Sequence, residues 1–188
     1  VALLVRKGTF SPYAKALKKT DEPANYAMGR EHALTVLMEL FADEDLVVST
    51  TGKTSREVFE IRQQGAHEAN DFLCVGGMGH TSSIAMGVAL ARPQRRVIAI
   101  DGDGSMLMHM GALPIIGCHS GANLVHVVLN NQSHESVGGQ PTVAGKIDIG
   151  KIVLASGYNG YWCADDEVSL RGIWPNLANT LGPVFLEL

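Results

Sequence analysis

The chain has 188 residues, 46% of them hydrophobic, which suits one domain around a single substantial core. Its net charge of -4, with no basic cluster longer than Lys18-Lys19 or Arg95-Arg96, excludes a nucleic-acid footprint and leaves a small molecule as the expected partner. No apolar stretch reaches the ~20 residues needed to cross a bilayer, and no signal-peptide pattern opens the chain.

In chain order, Val1-Ala2-Leu3-Leu4-Val5 reads as a strand without an initiator Met, and residues 6–28, with few apolar positions, read as a linker. Residues 1–28 are therefore expected to be the end of a preceding domain plus linker, and residues 29–188 the domain proper. Helical patterns near 30–42, 54–63, 79–92, 106–119, 147–157 and 166–180 alternate with strand-like runs at 46–50, 71–75, 96–100, 124–130 and 183–188. A further short strand is expected around Tyr158 to Cys163. This alternation predicts an α/β fold of three layers, a mostly parallel sheet with helices on both faces. The last strand stops at its own final residue, so a piece of a longer protein is expected. Cys74, Cys118 and Cys163 form no Cys-x-x-Cys pair, and two of them fall in apolar runs typical of buried thiols. A reducing, cytoplasmic compartment is the expectation.

The most informative motif is Asp101-Gly102-Asp103-Gly104-Ser105, with 25 residues between Gly104 and the pair Asn130-Asn131. Each part follows a buried strand, so Asp103 and the paired Asn are expected at the carboxyl edge of the sheet, where open α/β folds bind ligands. The glycines let the backbone approach a phosphate closely, and a carboxylate beside an amide oxygen suits Mg²⁺. Competing motifs fail on spacing. An EF-hand loop from Asp101 has Met106 and Ala112 where Gly and Glu are required, a Walker A loop at Gly52-Lys53-Thr54 has Val47 in place of Gly, and a dinucleotide fingerprint from Gly77 has Ser82 in place of Gly or Ala. Taken singly, Asp103 or Asn131 also reads as an ordinary turn residue.

Gly76-Gly77-Met78-Gly79-His80 follows a strand and opens a helix rich in small residues, where backbone can touch a ligand; Met78 also reads as core filler. Thr51, Gly52 and Lys53 lead into another helix, whose amides and hydroxyls suit an anion, with a purely structural cap by Thr54 or Ser55 as the alternative. Gln132 to Thr142 reads as a loop at the active edge. There His134 and Glu135 are candidates for proton transfer or substrate grip, and solvated loop residues are the alternative reading.

The Gly-Asp-Gly and Asn-Asn spacing resembles the cofactor signature of thiamine diphosphate (ThDP) enzymes. The run His134-Glu135-Ser136-Val137-Gly138-Gly139-Gln140-Pro141-Thr142, together with Thr50 to Arg56, Gly76 to Ser83 and Met108 to Leu113, resembles the phosphonopyruvate decarboxylase family within them. Gly77, where Ser is expected, and Pro114 inside a helix depart from that pattern. The resemblance implies the ThDP-binding fold, with Asp103, Asn131 and the Ser133 carbonyl as Mg²⁺ ligands. It implies cofactor contacts by Thr51, Gly52, Lys53, Gly76, Gly77, Met78, Gly102, Gly104 and Ser105, with Met78 wedged between the cofactor's rings. The implied reaction is decarboxylation of 3-phosphonopyruvate to phosphonoacetaldehyde in phosphonate biosynthesis, with Lys53, His80 and His134 as candidates to bind the substrate. The catalytic candidates are His134, Glu135 and His80. A pyrimidine-binding domain, from the missing part of the chain or another subunit, is an implied partner, in a homo-oligomer. Sulfopyruvate decarboxylase of the β-subunit type, an acetolactate-type carboligase and a catalytically silent cofactor-binding module are the alternatives.

Overall fold

The computed structural model describes residues 3–9, 27–65 and 70–188. Most of the expected linker, and Val1 and Ala2 of the expected opening strand, lie outside them. Residues 3–5 carry no strand, and the chain then turns at Arg6, whose carbonyl accepts from Thr9.

The described residues run α1 (Arg30–Leu40), β1 (Leu46–Ser49), α2 (Lys53–Gln64), β2 (Asp71–Leu73), α3 (Thr81–Ala91), β3 (Val97–Gly102), α4 (Asp103–Met108), α5 (Ala112–His119), β4 (Leu124–Leu129), β5 (Ser133–His134), β6 (Gln140–Pro141), α6 (Ile149–Ala155), β7 (Gly160–Cys163), α7 (Glu167–Asn179) and β8 (Val184–Glu187). Six strands form one parallel sheet in the order β2-β1-β3-β4-β8-β7. Every residue of β4 is buried, as a strand covered on both faces requires. Ile98, Ile100, Val125, Val127, Val184 and Leu186 point to one face, against Leu34 and Leu37 of α1, Val58 of α2 and Leu170 and Trp174 of α7. Their neighbours Val97, Ala99, Leu124, Val128 and Phe185 point to the other, against Ala85 of α3, Met106 of α4, Leu113 and Ile116 of α5 and Val153 of α6. The period-2 alternation of the strands thus feeds two apolar layers, and the three-layer expectation holds.

Three local expectations change. The single helix expected over 106–119 is two, because the chain breaks at His109 so that its Nδ1 reaches the Gly79 carbonyl at 3.2 Å. Pro114 then falls in the first turn of α5, where its missing N–H costs no helical bond. The expected loop over 132–142 contains the antiparallel hairpin β5–β6, whose strands of two residues are too short to show any period in the sequence. Of the cysteines, only Cys74 is buried; Cys118 sits on the side of α5 opposite Leu113 and Ile116, and Cys163 lies exposed at the end of the edge strand β7. No helix among the described residues is long and apolar enough to cross a membrane.

The second layer encloses a polar trio. His126 and Asp101 are fully buried, with His126 Nε2 and Asp101 Oδ2 3.9 Å apart and neither atom otherwise hydrogen-bonded. His126 Nδ1 meets the Tyr158 hydroxyl at 3.0 Å, and burial together with the charge of Asp101 pushes the Tyr158 phenol well above its usual range. Asp101 Oδ1 accepts from the Gly102 N–H at 3.0 Å. Asp101→Asn keeps that acceptor and turns an N–H towards His126, so it should raise folding stability in urea titrations by about 1 kcal/mol. A loss of similar size would contradict this account of the pair.

Candidate functional site

Parallel pairing sets Gly102 opposite Leu129, so the chain leaves β3 and β4 at the same level of the sheet. Asp103, the first residue of α4, and Asn130-Asn131 therefore meet at one edge, lining a cavity of about 1260 Å³. Asp103 is only 2% exposed, and its Oδ2 accepts from the Thr142 hydroxyl at 2.5 Å. Thr142 in turn accepts from the Ala144 N–H at 3.2 Å. Burial pushes the Asp103 carboxyl above its usual range, opposed by the Thr142 hydroxyl, the Gly104 N–H and the nearby His134. Thr142 was not foreseen as a site residue; the one trace of it in the sequence is its position closing the Gly-Gly-Gln-Pro-Thr run.

The two Asn divide their work. Asn130 is held in the framework, its Nδ2 donating to Glu187 at 2.6 Å and its Oδ1 accepting from the Gln132 N–H at 3.2 Å. Asn131 Oδ1 accepts from the Ser133 N–H at 3.0 Å, bending the chain through Gln132, which stands at φ 55. A left-handed residue other than Gly costs about 1 kcal/mol or more and persists where its surroundings fix it. The bend brings Ser133 and Asn131 to the same cavity as Asp103. Carboxylate, amide and carbonyl make an all-oxygen donor set, and no cluster of three His, Cys, Asp or Glu able to hold a metal exists among the described residues. Such a set fits a hard cation that takes its remaining ligands from phosphate and water, as Mg²⁺ does.

Around this corner the expected residues separate. Thr51, Lys53, Met78, Gly102, Gly104 and Ser105 line the main cavity. Ser105 Oγ also ties three segments together, accepting from Thr50 Oγ1 at 3.1 Å and from the Gly79 N–H at 3.0 Å. Gly52 lines a neighbouring cleft of about 380 Å³ with Cys74 and Val75. Gly76 and Gly77 border neither space, and His80 is an exposed residue at the start of α3 whose ring meets His109 edge-on at 4.7 Å. His80 is thus not brought to the site; packing on His109 engages its ring.

The hairpin lies across the metal corner. The ring of His134 rests on Gly104, where a β-carbon would stand 2.4 Å from His134 Nδ1, so any larger residue there would have to displace that ring. Glu135 is engaged in ion pairs, with Arg30 and with Lys53 at 3.0 Å, and Arg30 followed by Lys53 holds its carboxyl below the usual range. That is the reverse of the tuning a general acid at neutral pH needs. Arg30, at the start of α1, also went unforeseen in the sequence, where nothing marks it out from other helix-initial charges.

Thr142→Val should cost about 1–3 kcal/mol of stability at neutral pH, because it strips a donor from a buried carboxylate. The Thr142 hydroxyl favours the charged carboxylate, so the loss should shrink as pH falls and Asp103 takes up its own proton. Urea titrations of metal-free protein across the acidic range would check it; a loss that is the same at every pH would contradict the assignment.

Comparison with known proteins agrees with this geometry. Residues 50–188 match the family model described as thiamine pyrophosphate enzyme, C-terminal TPP binding domain. The chain is 36% identical over 176 residues to a phosphonopyruvate decarboxylase of Streptomyces viridochromogenes, covering 94% of this chain and 42% of that protein. It is 40% identical over 124 residues to a sulfopyruvate decarboxylase subunit beta of Methanothermobacter thermautotrophicus, covering 66% of this chain and 64% of that subunit. It therefore spans less than half the length of the phosphonopyruvate decarboxylases it matches. A solved structure of a thiamin diphosphate-dependent enzyme isolated from Mycobacterium smegmatis superposes with a TM-score of 0.72 over 86% of this chain and 31% of that one, at 24% identity, and so shares the fold. The chain belongs to the thiamine pyrophosphate enzyme family, its residues 50–188 matching the C-terminal cofactor-binding domain.

Proposed function

We propose that this chain is the metal- and diphosphate-binding half of a ThDP-dependent decarboxylase acting on a three-carbon 2-keto acid with an anionic group at C3. 3-Phosphonopyruvate is the favoured substrate and phosphonoacetaldehyde and CO2 are the products. The observation that carries the reading is the convergence of Asp103, Asn131 and Ser133 at the ends of two adjacent strands, in a chain whose relatives include phosphonopyruvate decarboxylases. Asp103, Asn131 and the Ser133 carbonyl would hold Mg²⁺, and Thr142 would fix the carboxylate that meets it. When bound, ThDP supplies the nucleophilic carbon and the electron sink for loss of CO2. Met78 would support the cofactor from the cavity wall, and His134, beside Gly104, is the side chain proposed to move the proton that replaces CO2. A pyrimidine-binding domain, from elsewhere in the whole protein or from another subunit, would complete the site in a homo-oligomer, so this segment alone should turn over nothing.

A second reading puts a sulfonate in place of the phosphonate, favoured by the sulfopyruvate decarboxylase β subunits among the relatives. The test is decarboxylation by the full-length protein, with Mg²⁺ and ThDP, of phosphonopyruvate, sulfopyruvate and pyruvate in parallel. A kcat/KM preference for phosphonopyruvate above ~100-fold, about 2.7 kcal/mol in transition-state binding, is expected. Acetolactate formed from pyruvate would favour a carboligase, and no reaction with any of the three would overturn the decarboxylase reading.

Asp103→Asn separates binding from folding. Because burial favours the protonated Asp103, the metal-free wild type should lose stability as pH rises through the raised value, and the Asn variant should not. Its melting temperature in chelator near pH 8 should exceed that of wild type, by about 2–4 °C for each kcal/mol recovered. Its Mg²⁺-dependent ThDP binding should be abolished, read by calorimetry on the full-length protein. A variant that still binds Mg²⁺ and ThDP normally would remove Asp103 from the metal.

A further inference from the structure

Arg30 enters the cavity in an unusual state of readiness. Glu57 of α2 grips its Nε and Nη2 at 2.7 Å each, a two-point fork that fixes the guanidinium plane. The remaining Nη1 reaches Glu135 Oε2, while Lys53 Nζ stands 3.0 Å from Glu135 Oε1. One carboxylate thus has each of its oxygens on a different cation, and the cations come from different helices, α1 and α2. All four side chains line the cavity that holds Asp103 and Asn131, and Glu135 follows His134, whose ring lies on Gly104.

The two halves of this network differ in permanence. Arg30 and Glu57 are largely covered, with side chains 24% and 19% exposed, whereas Glu135 is 41% and Lys53 51% exposed. Glu135 also rides on a 3-10 turn between strands of two residues each, closed by Gly138 and Gly139. An exposed pair of this kind contributes little and is readily exchanged for another anion. Two cationic donors set for the two oxygens of a carboxylate are also set for two oxygens of a phosphonate or sulfonate.

We propose that Arg30 and Lys53 form the anion subsite of the cavity, which Glu135 occupies as an internal stand-in until the C3 phosphonate or sulfonate of the substrate displaces it. The proposal rests on the functional reading above and names the residues that would set its substrate class. Arg30, held by Glu57, supplies the oriented Nη1 donor; Lys53 adds a mobile charge; Glu135 competes with the ligand, so weak or uncharged keto acids fail to open the subsite.

The test uses full-length holoenzyme and two readouts. Methylphosphonate binding, followed by calorimetry, probes the subsite whether or not any keto acid is turned over, so failure of the functional reading leaves this measurement intact. Arg30→Gln and Lys53→Gln should each weaken methylphosphonate binding by about tenfold or more, and Glu135→Gln should tighten it. In turnover, the KM for the anionic keto acid should rise in the first two variants at least about tenfold more than the KM for pyruvate, with Arg30→Lys intermediate because it keeps charge and loses the fork. ThDP affinity distinguishes the two sources of a phosphate-like anion: it should stay within about threefold of wild type. Weakened ThDP binding with an unchanged substrate KM would assign the pair to the cofactor's diphosphate and overturn the proposal. Weaker methylphosphonate binding in Glu135→Gln would overturn it too, since a competitor's removal cannot harm its rival. Lys53→Gln, at a half-exposed side chain, keeps the test decisive should Arg30→Gln disturb the packing of α1.

Discussion

Asp103 and the paired Asn hang from the pairing of β3 with β4. Six residues of each run parallel and in register from Val97 against Leu124 to Gly102 against Leu129, so both chains leave the sheet at one height. A slip of one residue would turn every side chain of a strand to the opposite layer, carrying Ile98 and Ile100 into the small-residue layer of α3 and α5. The two apolar layers therefore specify the register, and the register specifies the distance between Asp103 and Asn131. Packing far from the cavity is what makes the metal corner reproducible.

Much of this was legible because it obeys short periods. The strands of the large sheet and the helices that cover them came through as alternating apolar runs, and the Gly-Asp-Gly and Asn-Asn pairs stood where those runs ended. What stayed hidden depends on contacts between distant segments. Thr142 reaches Asp103 across 39 residues, and the Arg30 to Glu135 pair spans 105. Neither has a local pattern. The hairpin β5–β6 was hidden for the opposite reason, since two residues per strand give no period to read. His80, a catalytic candidate because it follows a glycine cluster, lies off the cavity, and nothing in the sequence announces that its ring packs on His109.

The site and the core beneath it treat charge differently. Asp103 is buried with a hydroxyl and an N–H against it, an arrangement that costs stability until a cation arrives and that makes the acid a strong ligand once it does. Two residues earlier, Asp101 is buried against His126 without a hydrogen bond between them, sheltered beneath α3 to α6 where no ligand comes. The end of β3 and the first residue of α4 thus carry two carboxylates two residues apart, one opening to the cavity and one sealed below it.

The position of β8 imposes an order on the birth of this domain. Val184–Glu187 is made after every other described strand, yet it lies inside the sheet between β4 and β7. The backbone N–H of Asn130 donates to the Leu188 carbonyl, and Glu187 holds both the Asn130 amide and the Tyr161 hydroxyl. Until β8 is made, β4 presents a largely apolar strand with one edge unpaired, the kind of surface that recruits wrong partners. Asn130 cannot be set until Glu187 and Leu188 emerge, so the cradle closes only once β8 has joined the sheet. Binding competence then serves as a report that the sheet has been completed.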